Sequence, residues 1–220
     1  VKKTGRASQF AIAASKLALE DAGMECGEDT CVLIGTTMGE GGMIEEIDRH
    51  WTEGGEEGVW GITVSRYPSN AIANNVSREL GMKGMSCVIT TACSAGNYSI
   101  GLAFEMIRSG RARYALAGGA DPFSRIGFTG FGRLYAMSSD LCRPFDANRK
   151  GMMLGEGAGI IFLESLGSAQ ARGAQIYAEV LGYGLSCDAS HMTAPNVDGI
   201  TRVMEKAIKN SGIDKNEVGY

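Results

Sequence analysis

Residues 86–121 read SCVITTACSAGNYSIGLAFEMIRSGRARYALAGGAD, and this stretch decides the fold. SCVIT (86–90) is apolar and rich in β-branched residues, the signature of a buried strand. From Ser94 to Ser109, Ile100, Ala103, Phe104 and Ile107 recur at helical spacing, and Gly110 closes the helix. YALAGGAD (114–121) reads as the next strand. Strand, helix and strand in that order predict a parallel crossover, and hence an α/β fold.

Cys93 falls in the turn between the first strand and the helix. If the helix starts near Ser94, the thiol sits beside amides that lack intrahelical partners, at the positive end of the macrodipole. Such a place stabilises a thiolate. Ala92, Ala95 and Gly96 are small enough for a sharp turn and for a carbonyl substrate to approach, and the Cys93 amide is placed to bond an acyl oxyanion. On these mechanics alone two readings stand: a nucleophile, or a small buried hydrophobe. Buried packing is the expectation for Cys26, Cys31, Cys87, Cys142 and Cys187.

The flanking sequence extends the alternation of helices and strands. Phe10, Ala13, Ala14, Leu17 and Ala18 predict a helix over 6–22, and CVLIGTT (31–37) predicts a buried strand. Residues 38–61, rich in Gly and Glu, predict a loop with a short helix at most. Pro68 opens a helix that Gly81 ends. Residues 122–158 predict mostly loop, followed by a strand at 159–164, a short helix at 165–172 and a strand at 176–184. A last helix presents Ile200, Val203, Met204, Ala207 and Ile208. KLALEDAG (16–23) and EKAIKNSG (205–212) echo one another, as in a duplicated architecture with the next strand starting near Val218. The chain begins without Met, so sequence before Val1 is expected.

Composition narrows the function classes. With 44% hydrophobic and 21% charged residues the chain buries an ordinary core. Its 32 glycines are about twice the average share, which implies many tight turns. A net charge of −4 without a basic run argues against a nucleic-acid surface. No stretch is long and apolar enough to predict a membrane span. Six scattered cysteines with no CxxC pair, and only two histidines, predict neither a disulfide framework nor a metal site, and suit a reducing, cytoplasmic setting.

Taken in order, TTACSAG, LAGGAD, RPFDANRKGMMLGEGAGIIFLE and YAEVLGYGLSCDASHMTAP resemble the β-ketoacyl-acyl-carrier-protein synthases, the elongating condensing enzymes of fatty-acid and polyketide synthesis. The likeness runs from about residue 6 to residue 220. It implies a thiolase-like, layered αβαβα fold, here incomplete: a first half with the nucleophile over 1–175 and the start of the second over 176–220. It also implies a homodimer. Cys93 would receive an acyl chain from an acyl carrier protein, and a malonyl thioester would then lose CO₂ and attack it. No cofactor is implied beyond the phosphopantetheine arm that carries the substrates.

The same likeness suggests roles elsewhere. Met38, in GTTMGEGG, matches the family's acyl-pocket gate, with core packing as the rival reading. Phe131 matches an aromatic lining the acyl tunnel, with core filler as its rival. Asp188, His191 and Thr193 match a segment beside the pantetheine tunnel, where His191 reads first as a loop-stabilising residue. Arg6 lies near a carrier-docking position, whereas EGGEEGVWG stands where relatives tend to be basic. Lys150 and Met152 replace the family's usual acidic residue and Phe. Glu156 reads as structural, in need of a cation or backbone donors, and Arg143, Asp146 and Arg149 as a salt-bridged turn. The family's two catalytic histidines and its lysine belong to later motifs, beginning with HGT, and His50 reads as a solvated loop residue. The 220 residues alone are therefore expected not to condense. The alternative is a non-catalytic partner, or chain-length subunit, of a condensing enzyme.

Overall fold

All six residues of TCVLIG, from Thr30 to Gly35, are buried, which requires a covered face on each side and a neighbouring strand at each edge. The computed structural model, which describes residues 4–25, 27–59, 61–191 and 193–220, supplies all four. For Ile62 and Thr63 only the backbone is described, and Cys26 lies outside the described residues. The elements in chain order are α1 (Arg6–Asp21), β1 (Thr30–Gly35), α2 (Gly41–Gly54), α3 (Gly61–Val64), α4 (Ala71–Leu80), β2 (Ser86–Ile89), α5 (Ala95–Arg108), β3 (Tyr114–Asp121), α6 (Arg125–Arg133), β4 (Gly157–Glu164), α7 (Leu166–Ala171) and α8 (Val197–Ser211). Short 3₁₀ turns stand at Gly55–Gly58, Ala92–Ser94 and Lys215–Glu217.

The sheet order is β2-β1-β3-β4. β1 pairs in parallel with β2 and with β3, and β4 runs antiparallel to β3. Val32 and Ile34 face α1 and α4, packing with Ala7, Ala11, Ile12, Leu19, Ile72 and Val76. Cys31 and Leu33 face α5, against Ala103 and Met106. The result is three layers, with β1 as the most enclosed strand.

Several expectations need correction. The buried line of α1 is Ala7, Ser8, Ala11, Ile12, Ser15 and Leu19, while Leu17 is exposed. In so Ala-rich a helix apolar spacing hardly separates the faces, and Ser8 is drawn inward by Glu40, whose Oε1 accepts from its amide (2.9 Å) and its hydroxyl (2.5 Å). The Gly- and Glu-rich stretch is mostly helical. Met43, Ile47 and Trp51 recur every fourth residue in α2, a stripe that the surrounding charges obscure. α4 begins three residues after Pro68, because the Ala71 amide bonds the Pro68 carbonyl in a turn first. Within 122–158, α6 forms despite three glycines. Ser124 caps it, accepting from the Gly127 amide at 2.9 Å.

Arg143 pairs with Asp140 at 2.9 Å rather than with Asp146. Asp146 instead accepts the Asn148 amide, and its carbonyl accepts from Arg149. Glu156 is held by Arg6 at 2.6 Å and by the Phe123 amide at 3.2 Å. These bonds, that from Arg6 first, hold its carboxyl below the usual carboxylate range. Arg6 also lies over Phe10, 4.4 Å from the ring centre. Cys31 is buried and Cys87 half-buried, but Cys142 and Cys187 are exposed, because both lie in irregular segments rather than in strands.

The chain divides into two compact units, Val1–Ala174 and Gln175–Tyr220. In the second, residues 176–184 have no regular secondary structure and form no ladder with any described segment, so the expected strand is absent. They pack instead on α8, where Gly182 and Gly184 meet the helix backbone with no room for a Cβ. His50 is half-buried in α2, its Nε2 3.2 Å from Arg49.

Glu164, at the end of β4, accepts from Arg172 (2.5 and 2.8 Å) and Ser168 (2.7 Å), and Arg172 also donates to the Ala22 carbonyl. Burial alone would raise the Glu164 carboxyl, but the Arg172 and Ser168 bonds more than offset it and hold it low. The pair's contribution is therefore complete above the ordinary carboxylate value of about 4.3. It is lost as pH falls below that value and through the lowered folded one. Arg172→Met is expected to cost about 1–2 kcal/mol at neutral pH, since Arg172 is partly solvated. Urea titrations at neutral and acid pH should show that difference shrinking on acidification.

Candidate active site

The carboxyl ends of three parallel strands lead into the predicted site residues. β1 runs on to Met38, β2 to Cys93, and β3 to α6 and Phe131. In open α/β sheets this is the edge at which ligands bind.

Cys93 is exposed, in the 3₁₀ turn Ala92–Ser94 rather than in the first turn of α5. Ala92 has φ +51°, a left-handed conformation that costs a residue with a Cβ about 1–2 kcal/mol. The Ser94 hydroxyl turns back to the Thr91 carbonyl at 2.8 Å, so it caps none of the α5 amides. α5 then starts against β1. A Cβ on Gly35 would collide with the Ala95–Gly96 backbone, and Gly96 faces Gly118 and Gly119 of β3. The Ser99 hydroxyl, 2.7 Å from both the Gly96 and Gly118 carbonyls, locks helix to sheet.

Met38 lies 3.5 Å from where a Cβ on Gly127 of α6 would stand. Phe131, half-buried, is one turn further along that helix. The structure thus joins Met38 to the helix that carries Phe131. Asp188, His191 and Thr193 form a cluster of their own in the second unit. Asp188 accepts the Asn196 amide at 2.9 Å and the Ser190 amide at 3.2 Å, and these bonds lower its carboxyl. His191 Nδ1 accepts the Thr193 amide at 3.1 Å, which leaves the neutral ring's proton on Nε2. Met192, between them, lies outside the described residues.

Two positions that hold the loop carrying Met38 escaped the reading of the sequence. Asp121 ends β3 and bonds the loop that carries Met38. Glu40 is 1% exposed among glycines that suggest an open loop. The only available signals were an acid closing an apolar strand and an acid just ahead of a helix.

An open cavity of about 620 Å³ between α2 and α6 is lined by Gly42, Glu45, Glu46, Asp48, Arg49 and Arg125. Its charged walls do not suit an acyl chain, and Cys93 is not part of it. Among the described residues no cluster of His, Cys, Asp and Glu is arranged to hold a metal ion.

The sequence profile of the beta-ketoacyl synthase N-terminal domain matches residues 1–169, and that of the C-terminal domain matches residues 177–220. The chain belongs to the beta-ketoacyl synthase family. It is 41% identical over 225 residues to the 3-oxoacyl-acyl-carrier-protein synthase 2 of Vibrio cholerae serotype O1, covering 96% of this chain and 54% of that protein. It superposes with a TM-score of 0.95 and 43% identity on the structure described as the ishigamide ketosynthase/chain length factor, covering 99% of this chain and 56% of that one. A type II PKS ketosynthase bound to its acyl-carrier protein and the hexaketide matches with a TM-score of 0.91 and 31% identity, covering 98% of this chain and 57% of that one. The fold is accordingly thiolase-like and is a partial domain. The chain spans about half the length of the curated relatives it matches.

Within this chain the turn before α5 makes opposite demands at two positions. Gly35→Ala is expected to destabilise by about 2–3 kcal/mol through the Ala95 clash. Ala92→Gly is expected to stabilise by about 0.5–1 kcal/mol by relieving the positive φ. Chemical denaturation of the two variants beside the parent checks both signs.

Proposed function

We propose that this chain supplies the acyl-accepting half of a 3-oxoacyl-acyl-carrier-protein synthase of fatty-acid or polyketide synthesis. The observation that carries the proposal is the exposed Cys93 on a strained turn at the carboxyl edge of the parallel strands, in a chain of this family. The Cys93 sulfur attacks the carbonyl of an acyl thioester. A new carbon–sulfur bond forms, the bond to the phosphopantetheine sulfur breaks, and that thiol leaves with the proton from Cys93. The uncapped amides at the start of α5 favour the transient oxyanion. A malonyl thioester then loses CO₂, its carbanion attacks the acyl-enzyme carbonyl, and the Cys93 thiolate departs. The product is a 3-oxoacyl chain two carbons longer.

In this reading Met38 and Phe131 bound the acyl chain, and Asp188, His191 and Thr193 meet the phosphopantetheine arm. The partners are an acyl carrier protein and a second copy of the chain, and the setting is the cytoplasm. Among the described residues no helix is long and apolar enough to cross a membrane. Substrates arrive on phosphopantetheine, with no resident cofactor. The complex of a related ketosynthase with its carrier protein supports the carrier as partner.

Incubating the full protein with an acyl-loaded carrier, then digesting it and weighing the peptides, tests the first step. The acyl mass should appear on the peptide containing Cys93, and Cys93→Ser should lower the rate of uptake by at least about 10³-fold. Acylation at another residue, or none, would instead favour a non-catalytic chain-length subunit.

A further inference from the structure

We propose that Asp121 is a positioning residue that sets acyl-chain length through Met38, an inference that rests on the reading of Met38 as the acyl gate. One oxygen of Asp121, Oδ1, accepts three hydrogen bonds from the segment leaving β1: the Thr36 hydroxyl at 2.8 Å, the Thr37 amide at 2.8 Å and the Met38 amide at 2.9 Å. The Thr36 hydroxyl in turn accepts the Gly39 amide at 2.9 Å. Gly39 has φ +58°, and a side chain there would strike Ser69.

On the far side Glu40 is 1% exposed. It accepts the Ala7 amide at 3.2 Å and the Ser8 amide at 2.9 Å from the start of α1. Five consecutive residues are thus pinned between two carboxyl groups, with Met38 at their centre.

At the end of a strand the backbone donors have lost their ladder partners and would otherwise turn to water. Asp121 supplies one fixed acceptor, so the Met38 backbone has one position. Only its flexible thioether is left to yield to a chain. Without that acceptor the three donors rehydrate and the backbone of the gate moves with its side chain. Asn keeps a single carbonyl oxygen able to take all three bonds, and Ala does not.

Acyl uptake on Cys93 is measured for carriers loaded with short and long chains, in the parent, Asp121→Ala, Asp121→Asn, Thr36→Val and Met38→Ala. Asp121→Ala should change the long-to-short ratio of kcat/KM by about tenfold or more, in the same direction as Met38→Ala. Asp121→Asn should restore the parent ratio. Thr36→Val, which removes two of the loop's bonds and keeps Asp121, should change it less, and it carries the test if Asp121→Ala does not fold. A uniform fall at every length in the variant that folds, or an Asn variant no better than Ala, overturns the role of Asp121. If Met38→Ala leaves the ratio unaltered, the gate reading itself fails, whatever the Asp121 variants do.

Discussion

The near-contact of two backbones, β1 at Gly35 with α5 at Ala95–Gly96, is the constraint on which the rest depends. Helices are normally held off a sheet by the side chains between them. Here the first turn of a helix sits on the end of a strand with nothing between. That is possible because residue 35 is glycine: a Cβ there would run into the Ala95–Gly96 backbone. The approach pulls the preceding residues into a tight elbow. Ala92 takes the backbone strain, and Cys93 is left on the rim rather than in the core. The position of Cys93 is therefore a product of packing geometry several residues away.

Around this elbow, polar side chains perform work usually left to apolar ones. Glu40 and Asp121 each accept more than one bond from backbone of another segment, and Ser99 donates one bond within α5 and one to β3. Each satisfies donors or acceptors that sheet and helix ends leave over. Such bonds have direction, so they fix where a loop sits and not merely that it is covered.

The elements legible in the sequence were those whose signals are local. The bounds of β3 follow from an apolar run between Arg113 and a polar stretch, and the strand–elbow–helix order around Cys93 from small residues between two periodic segments. α2 and α6 were hidden because charge and glycine dilute their periodicity, although Ser124 and tertiary contact make α6 stable. The face of α1 was misjudged because alanine makes every face look alike, and the choice is made by Glu40, thirty-two residues from Ser8. Residues 176–184 have a strand's composition, but a strand exists only through a partner, and no window of sequence reports one. Asp121 and Glu40 were invisible for a related reason: an acidic residue at a strand end or in a loop looks solvated until its long-range donors are known.

The exposure of Cys142 and Cys187 alongside Cys93 changes how alkylation data must be read. Among the described residues, a reagent that counts accessible thiols meets three exposed sulfurs, of which one stands at the elbow and two lie in irregular surface segments. Total stoichiometry therefore says little about occupancy of the elbow. Only the relative speed of modification, resolved peptide by peptide, separates a thiol activated by its surroundings from two that are merely wet.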